Sequence, residues 1–209
     1  MFRRQIEIIG SNQNKLKNKS VLVIGAGGLG NVVMSEIGCI GLKEIYIIDF
    51  DMIELHNIHR QFQFKEADIG KYKAKVLANR THRCGTKIIP LVEKFETFDK
   101  KVDLIIDCTD NFETREKIDK FAKANKIPWV YASVENWVGQ VCLFKDKSID
   151  IFNNPIQHQV TGVMPAMVGL VGSIESIIAT KYLAELDVEF DRLYYIDFSK
   201  ELKISQFLV

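Results

Sequence analysis

Apolar runs in this chain alternate with amphipathic stretches, which is the pattern of strands connected by helices. Val21–Ile24 and Val102–Ile106 are continuous apolar runs, as expected for parallel strands that are buried on both faces. Four more runs predict strands, at Glu44–Ile48, Lys87–Val92, Ile127–Ala132 and Val138–Phe144. Helices are predicted at Leu29–Ile40, Phe112–Ala124 and Met164–Leu186. The predicted fold class is α/β, with a Rossmann-like, doubly wound, mostly parallel sheet.

The two ends of the chain depart from this alternation. Residues 1–19 predict a short amphipathic helix and a polar lead-in. Residues 191–209 contain two alternating runs, Leu193–Phe198 and Leu202–Phe207, separated by a polar turn. They predict an antiparallel hairpin that covers one side of the sheet. With 209 residues, 47% of them hydrophobic, the chain can bury one sizeable core, and we expect a single domain over 1–209.

Charge and hydropathy make some classes of partner unexpected. The formal net charge of +1 gives no general attraction to nucleic acid or to a membrane surface, so neither is an expected partner. The longest apolar stretch, Val163–Ala179, contains Pro165, Ser173 and Glu175. It therefore predicts a buried core helix rather than a membrane span.

The four cysteines are widely spaced and form no C-x-x-C pair. This spacing indicates free thiols in a reducing compartment, without a disulfide, and we expect a cytoplasmic protein. Cys108 and Cys142 fall in or at the ends of predicted strands. We expect them to be buried packing residues rather than nucleophiles.

A glycine-rich turn follows the first predicted strand. Gly25, Gly27 and Gly30 form a G-x-G-x-x-G pattern at the start of a helix, where backbone N–H groups are available to a phosphate. A carboxylate about 20 residues later, at the end of the second strand, is where a ribose hydroxyl is expected. Asp49 is the better choice for that contact, whereas Asp51 could cap the following segment instead. The turn alone predicts a nucleotide site without naming the nucleotide.

Histidines and cations follow this acidic end. His56 and His59 are three residues apart, but no further ligand has suitable spacing, so we expect surface histidines rather than a metal pair. Arg60 follows the nucleotide loop and is a candidate for a phosphate contact. Three lysines come next, at Lys71, Lys73 and Lys75. In a helix the first and third share one face while Lys73 points elsewhere, and the pattern alone is that of a solvated face.

Polar residues also follow the apolar run Val102–Ile106. Because ligands bind beyond the carboxyl ends of parallel strands, Asp107 and Asp110 are expected on the same edge of the sheet as the glycine turn. One of them could hold Mg²⁺, which takes carboxylate oxygens together with substrate phosphates. The alternative is that Asp110 or Asn111 caps the next helix, and the two roles are compatible.

Several motifs in order resemble the ThiF/MoeB/HesA branch of the ubiquitin-activating-enzyme-like adenylating superfamily. The resemblance runs from Phe2 to about Lys181. It rests on these segments: 4–6 (RQI), 25–30 (GAGGLG), 49–51 (DFD), 57–61 (NIHRQ), 68–74 (DIGKYKA), 107–111 (DCTDN), 139–140 (GQ) and 162–165 (GVMP).

The resemblance implies an ATP-dependent adenylyltransferase that uses Mg²⁺. A carboxylate would attack the α-phosphate, giving an acyl-adenylate and pyrophosphate. The implied catalytic residues are Arg4, Arg60, Lys73 and Asp110, with Asp110 holding Mg²⁺. The implied nucleotide contacts are Gly25, Gly27, Gly28, Gly30, Asp49, Asp51, Asn57, Arg60, Gln61, Lys73, Asp110 and Asn111. Cations suit this reaction because charge grows on the phosphates as pyrophosphate departs.

The resemblance also implies partners. The expected substrate is the Gly-Gly C-terminus of a small ubiquitin-fold sulfur-carrier protein, in thiamine or molybdopterin biosynthesis. Arg4 would reach into the site of a partner subunit, so a homodimer is implied. The alternatives are adenylation of another carboxylate or of a modified tRNA base, and a nucleotide-binding scaffold without turnover. A nicotinamide-dependent dehydrogenase is disfavoured by the phosphate-directed residues.

The sequence departs from this branch in its cysteines. Most bacterial members carry two C-x-x-C pairs for zinc, whereas residues 145–154 contain no cysteine and no second pair follows, so we predict no zinc. The position where relatives often keep a reactive cysteine falls near His158. Because no cysteine follows Cys142, a covalent persulfide or thioester step is not expected.

Overall fold

A computed structural model describes residues 1–81, 84–152 and 162–209 of the chain. The helices of this part are α1 (Arg3–Ile9), α2 (Gln13–Leu16), α3 (Gly28–Ile37), α4 (Lys73–Thr81), α5 (Phe112–Asn125) and α6 (Pro165–Leu183). The strands are β1 (Ser20–Ile24), β2 (Glu44–Ile48), β3 (Lys87–Leu91), β4 (Leu104–Asp107), β5 (Trp129–Glu135), β6 (Val138–Phe144), β7 (Arg192–Asp197) and β8 (Lys203–Leu208). Every predicted strand and long helix is present, with ends displaced by up to three residues.

The eight strands form one sheet in the order β3-β2-β1-β4-β5-β6-β7-β8. The first five in this order are parallel to their neighbours, and β6, β7 and β8 are antiparallel. β1 lies between β2 and β4, with Ile24 level with both Ile48 and Asp107. This arrangement confirms the predicted fold class.

Side chains of β1 alternate between two hydrophobic cores, one on each face of the sheet. Val21 and Val23 contribute to the core that includes residues of α3, α4 and α6. Leu22 and Ile24 contribute to the opposite core, which includes residues of α5 and the turn Phe95–Thr97. All four side chains are buried, which explains the continuous apolar run.

The C-terminal hairpin does not cover a side of the sheet, so that prediction is wrong. β7 pairs antiparallel with β6, and β8 pairs with β7, so the hairpin lengthens the sheet at its edge. The alternation arises because Leu193 packs into one core and Ile196 into the other. A hairpin at a sheet edge and a hairpin across a sheet face have the same alternating pattern, which cannot distinguish them.

Helix α6 is the central helix of the larger core. It packs against α3 so closely that a Cβ on Gly172 would lie 2.8 Å from the Cβ of Val32. Within the described residues it is the one helix long and apolar enough to span a membrane, with a mean hydropathy of 1.3. Its contacts with α3, β5 and β6 agree with the predicted core helix.

The cysteines correct one prediction and confirm another. Cys39, after α3, and Cys84, after α4, form a disulfide, so the expectation of four free thiols is wrong. The compartment inferred from free thiols loses that support, and a cytoplasmic location stays a prediction. Cys108 and Cys142 are free and buried, as predicted. Burial raises the pKa of both thiols, which makes them poor nucleophiles.

Candidate nucleotide site

The carboxyl ends of the parallel strands form one edge of the sheet, and most of the predicted site residues lie there. The glycine turn leaves β1 between the end of β2 and the end of β4. Its backbone is joined to both neighbours: the Gly25 N–H donates to Ile48 at 2.9 Å, and the Cys108 N–H donates to Ile24 at 2.8 Å. This edge is the position at which doubly wound folds bind ligands.

The glycines of the turn allow its backbone to pack closely against neighbouring segments. Gly25 has a φ of +99°, and a Cβ there would lie 2.5 Å from the carbonyl oxygen of Cys108. A Cβ on Gly30 would overlap the carbonyl of Gly25, so this residue allows α3 to pack against the turn. Gly27 precedes α3, and no described side chain caps this helix start. The first N–H groups of α3 are therefore available to an anion.

Asp49 fastens the glycine turn to the end of β2. Its Oδ2 accepts the Ala26 N–H at 2.7 Å, and its Oδ1 accepts the Asp51 N–H at 2.7 Å. Burial raises the pKa of this half-buried carboxyl, and the two N–H donors oppose the rise. Each oxygen keeps a second lone pair, so the carboxylate can still accept a ribose hydroxyl.

Lys73 reaches the same edge from the first residue of α4. Its Nζ lies 2.8 Å from Asp51 Oδ2, and its backbone N–H donates to the Asp51 carbonyl at 2.9 Å. The Lys73 side chain is buried, whereas the Asp51 side chain is 52% exposed. The expectation that Lys71 and Lys75 share a helix face is wrong, because Lys71 precedes α4 and pairs with Asp68 at 3.2 Å.

Residues 55–61 cross over the glycine turn. Asn57 is buried and accepts the Glu54 N–H at 3.0 Å, so its amide stabilises the short helix Leu55–Asn57. Arg60 is partly exposed, and its Nη1 donates to the His56 carbonyl at 3.1 Å. Gln61 is buried over Gly27, and no described residue donates to its Oε1. Arg60 and Gln61 therefore border the predicted phosphate position.

Asp107, at the end of β4, faces the interior rather than the site. Its carboxylate accepts the Arg115 Nε–H at 3.0 Å and both the N–H and the hydroxyl of Thr109. Arg115 also donates to the carbonyls of Thr109 and Ala132, and its guanidinium lies 5.1 Å from the Tyr131 ring centroid. The carboxylate has no exposed surface, so Asp110 is the better magnesium candidate of the two.

Asp110 and Asn111 follow at the exposed start of α5. Asn111 caps this helix, with its Oδ1 accepting the Thr114 N–H at 2.9 Å. The alternative cap role therefore belongs to Asn111, and Asp110 remains exposed on the edge. A single exposed carboxylate fits Mg²⁺, which commonly binds one or two carboxylates and otherwise phosphates and water.

Arg4 lies far from this edge within one chain. Its side chain is 96% exposed on α1, which contains no buried residue. α1 is attached through Gln5, whose amide donates to the Ile40 carbonyl at 2.9 Å beyond the C-terminus of α3. The glycine turn is at the other end of α3, about 15 Å away for a helix of ten residues. One subunit therefore does not bring Arg4 to its own site.

Two interior residues of this region have no role in the sequence-based prediction. Arg115 lies on α5, eight residues after Asp107, but no sequence signal indicates that Asp107 is buried and needs a counter-ion. Glu175 is buried in α6, and no described residue forms a hydrogen bond with either oxygen. The only sequence feature that singles out Glu175 is that it is an acidic residue within an apolar helix. In the described part of the chain no three histidine, cysteine or acidic residues cluster as metal ligands.

Comparison with known proteins identifies the family. A model of the ThiF family matches residues 2–207. The chain belongs to the ThiF family. The sequence-based family prediction is thereby confirmed, and the matched range includes every predicted site residue.

Curated relatives of this ThiF-family chain are named adenylyltransferases. Adenylyltransferase and sulfurtransferase MOCS3 of Caenorhabditis briggsae is 33% identical over 84% of this chain, which spans about half (48%) of that relative. Molybdopterin-synthase adenylyltransferase of Escherichia coli is 28% identical, covering 88% of this chain and 81% of the relative. Sulfur carrier protein adenylyltransferase of Thermus thermophilus is 28% identical, covering 79% and 70%.

Solved structures support the fold. Escherichia coli MccB with ATP has a TM-score of 0.85 and 19% identity, covering 99% of this chain and 70% of MccB. The protein PaaA has a TM-score of 0.82 and 17% identity, covering 100% of this chain and 72% of that structure. At such identities the likeness concerns the fold alone.

Proposed function

We propose that this ThiF-family protein uses ATP to adenylate the C-terminal Gly-Gly carboxylate of a small ubiquitin-fold sulfur carrier, in thiamine or molybdopterin biosynthesis. The main support is one observation: an uncapped, glycine-rich helix start lies beside a buried lysine and exposed carboxylates. That set suits a nucleoside triphosphate better than a nicotinamide dinucleotide, which needs no cation at a reacting phosphate. The relatives named for sulfur carriers and molybdopterin synthase support the substrate class.

The chemistry needs positioning more than acid–base catalysis. A carboxylate oxygen of the carrier forms a bond to the α-phosphorus while the bond from that phosphorus to the bridging oxygen of pyrophosphate breaks. The carboxylate is already ionised, so no proton has to be removed. In the proposal, N–H groups of the glycine turn hold phosphate oxygens, and Lys73 and Arg60 stabilise the charge that grows on the leaving pyrophosphate.

Lys73 has to leave or share its present partner to do this. In the ligand-free arrangement its ammonium pairs with Asp51, whose carboxylate is largely solvated. A pair with one solvated partner is weak, so phosphate oxygens can compete for the ammonium at little cost. Asp49 would hold the ribose, and Asp110 would hold Mg²⁺, which would neutralise phosphate charge when bound.

The homodimer is part of the same proposal. α1 has no buried residue, and Ile6 and Ile8 on it are exposed, as are Leu170 and Ile177 on the outer face of α6. Apolar groups left uncovered in this way are typical of a surface that is covered in an assembly. A second subunit would also supply the Arg4 that one chain keeps away from its own site.

The decisive test is exchange of radiolabelled pyrophosphate into ATP. We expect exchange that requires an added carrier ending in Gly-Gly, and none with the same carrier lacking its last glycine. Exchange with a tRNA or a free carboxylic acid instead would overturn the proposed substrate. ATP binding without exchange for any of them would indicate a non-catalytic scaffold.

Mixed subunits test Arg4. A dimer of one Arg4→Ala chain and one Lys73→Ala chain has one intact site only if Arg4 acts on the partner. We expect the mixture to recover activity that neither variant has alone. No recovery, with mixed dimers verified by differential tags, would rule out action across the interface.

A further inference from the structure

The buried side chain of Asn31 connects the two segments that form the proposed phosphate site. Asn31 lies in the first turn of α3 and is 1% exposed. Its Nδ2 donates to the carbonyls of Ala26 at 3.0 Å and Gly27 at 2.9 Å. Its Oδ1 accepts the backbone N–H of Gln63 at 2.8 Å. Both N–H donors and the carbonyl of this amide are used, which leaves it no freedom to rotate.

The two donated hydrogen bonds hold the glycine turn in one direction: the side chain is the described donor to the Ala26 carbonyl, and at Gly27 it adds to the bond from the Asn31 backbone N–H at 3.0 Å. The described chain contains no cis peptide bond, and in a trans peptide the C=O of one residue and the N–H of the next point in opposite directions. With the carbonyls of Ala26 and Gly27 held toward Asn31, the N–H groups of Gly27 and Gly28 point away from it. They are thereby turned to the side on which an anion can bind.

The accepted hydrogen bond fixes the second segment. Gln63 follows closely after Arg60 and Gln61, and its side-chain Nε2 also donates to the Ser35 hydroxyl of α3. A Cβ on Gly28 would lie 3.6 Å from the Arg60 carbonyl, so this segment runs directly over the glycine turn. The Asn31 amide is therefore a bridge of hydrogen bonds between α3, the turn and the segment that carries Arg60.

We propose that Asn31 is a positioning residue that sets the glycine turn and Arg60 in register around one phosphate group. This inference rests on the proposed function, because it assumes that ATP binds at this turn. Asn31 makes no contact with the nucleotide in this scheme. It acts through the orientation of two N–H groups and the placement of one guanidinium.

Asn31→Ser is the most informative variant. Ser35 and Ser176 already donate to the carbonyl four residues earlier in their helices, so a serine here can keep the bond to Gly27. It is too short to reach Gln63, so the bridge is lost while the helix remains. We expect kcat/KM for ATP in carrier-dependent exchange to fall on the order of 10- to 100-fold, as for small displacements of positioned groups. Asn31→Ala should lose at least as much.

Asn125→Ala is the matched control. Asn125 also donates its amide to a backbone carbonyl, that of Phe121 at 2.9 Å, but it is exposed at the C-terminal end of α5. Its removal should change neither the rate of pyrophosphate exchange nor the affinity for ATP. Thermal unfolding of all variants checks that any loss of exchange is not a loss of folded protein.

A double-mutant cycle separates positioning from general structural support. If Asn31 acts by placing Arg60, the effect of Asn31→Ser should shrink in an Arg60→Ala background, because the group to be placed is gone. The same fold-loss in both backgrounds would show that Asn31 does not place Arg60 and would overturn the proposal that it sets the turn and Arg60 in register. Amide hydrogen exchange supplies a readout without turnover: the Gln63 N–H should exchange slowly in wild type and faster in Asn31→Ser.

The outcomes distinguish this inference from the proposed function. Failure of the wild type to bind a fluorescent ATP analogue or to support exchange would refute the proposed function itself. If the wild type is active and Asn31→Ser supports pyrophosphate exchange at the same rate, only the role of Asn31 is refuted. If Asn31→Ala does not fold, Asn31→Ser and the exchange rate of the Gln63 N–H still decide the question.

Discussion

The ends of β2 and β4 carry similar acidic sequences but form opposite kinds of structure. Asp49 and Asp51 follow β2, and the Asp51 side chain is 52% exposed and pairs with Lys73. Asp107 ends β4 with no exposed surface, and its partner Arg115 forms three hydrogen bonds and lies over the Tyr131 ring. The end of β2 is open to solvent beside the proposed nucleotide site, whereas the Asp107 carboxylate at the end of β4 is fully buried.

The difference shows how one fold combines a rigid frame with an adaptable site. A buried ion pair is costly to form and costly to break, which makes it suited to fixing geometry. A half-solvated pair is weak, which makes it suited to exchanging partners with a substrate. Asp110, three residues after the buried Asp107, is exposed, so the segment after β4 places a solvent-accessible carboxylate beside the proposed site.

The largest predicted effect is on stability and concerns the buried Asp107–Arg115 pair at the end of β4. Arg115→Met removes the counter-ion of Asp107 but keeps much of the side-chain volume. We expect a loss of about 3–5 kcal/mol in the free energy of unfolding, measured by urea titration, because a buried carboxylate loses its partner. Lys117→Met on the same helix breaks exposed pairs with Glu96 and Glu113 and should cost far less, because solvated ion pairs contribute little to stability. Equal losses of stability in Arg115→Met and Lys117→Met would contradict the distinction between a buried and an exposed ion pair.

The next effect is on activity and concerns the Lys73–Asp51 pair beside the end of β2. Lys73→Ala removes a buried ammonium whose partner is solvated, so stability should change little. Carrier-dependent exchange should fall on the order of 10²-fold, because the growing phosphate charge loses a cation. Lys75→Ala, two residues along α4, removes an exposed ammonium that lies 5.3 Å from the Tyr72 ring centroid and should leave exchange unchanged. Equal activity of the two variants would exclude Lys73 from the site.

The sequence predicts the strands and the turn around these acidic residues better than it predicts the partners of the residues themselves. Strands β1 and β4 and the glycine turn could be predicted because continuous apolar runs and spaced glycines are local signals. The role of Asp107 could not, because its pairing with Arg115 depends on how α5 packs against the sheet. The Cys39–Cys84 disulfide is a similar case. The two residues are 45 apart in the sequence and meet because α3 and α4 pack closely, with Gly38 against Thr81.

The smallest predicted effect, counted per unit of pH, concerns Glu175, whose pKa is influenced by the charge of the buried Asp107. Burial raises the pKa of Glu175 well above its usual range, the Asp107 charge adds to the rise, and Arg115 opposes it. The folded protein therefore holds a proton that the unfolded chain releases above its ordinary pKa. Stability should be fully retained below that ordinary pKa. It should fall as pH rises toward the folded pKa, by up to tenfold in the folding equilibrium constant per pH unit.

Glu175→Gln tests this by removing the titration while preserving shape. In urea titrations at each pH, the variant and the wild type should be similarly stable below the ordinary pKa of a glutamate, and the variant should become the more stable one as pH rises above it. The exposed Glu201→Gln should follow the wild type throughout. A constant difference between Glu175→Gln and the wild type at every pH would mean that the carboxyl does not change its protonation on unfolding. In that case the buried charges at the end of β4 would be those of Asp107 and Arg115, and Glu175 would contribute only packing.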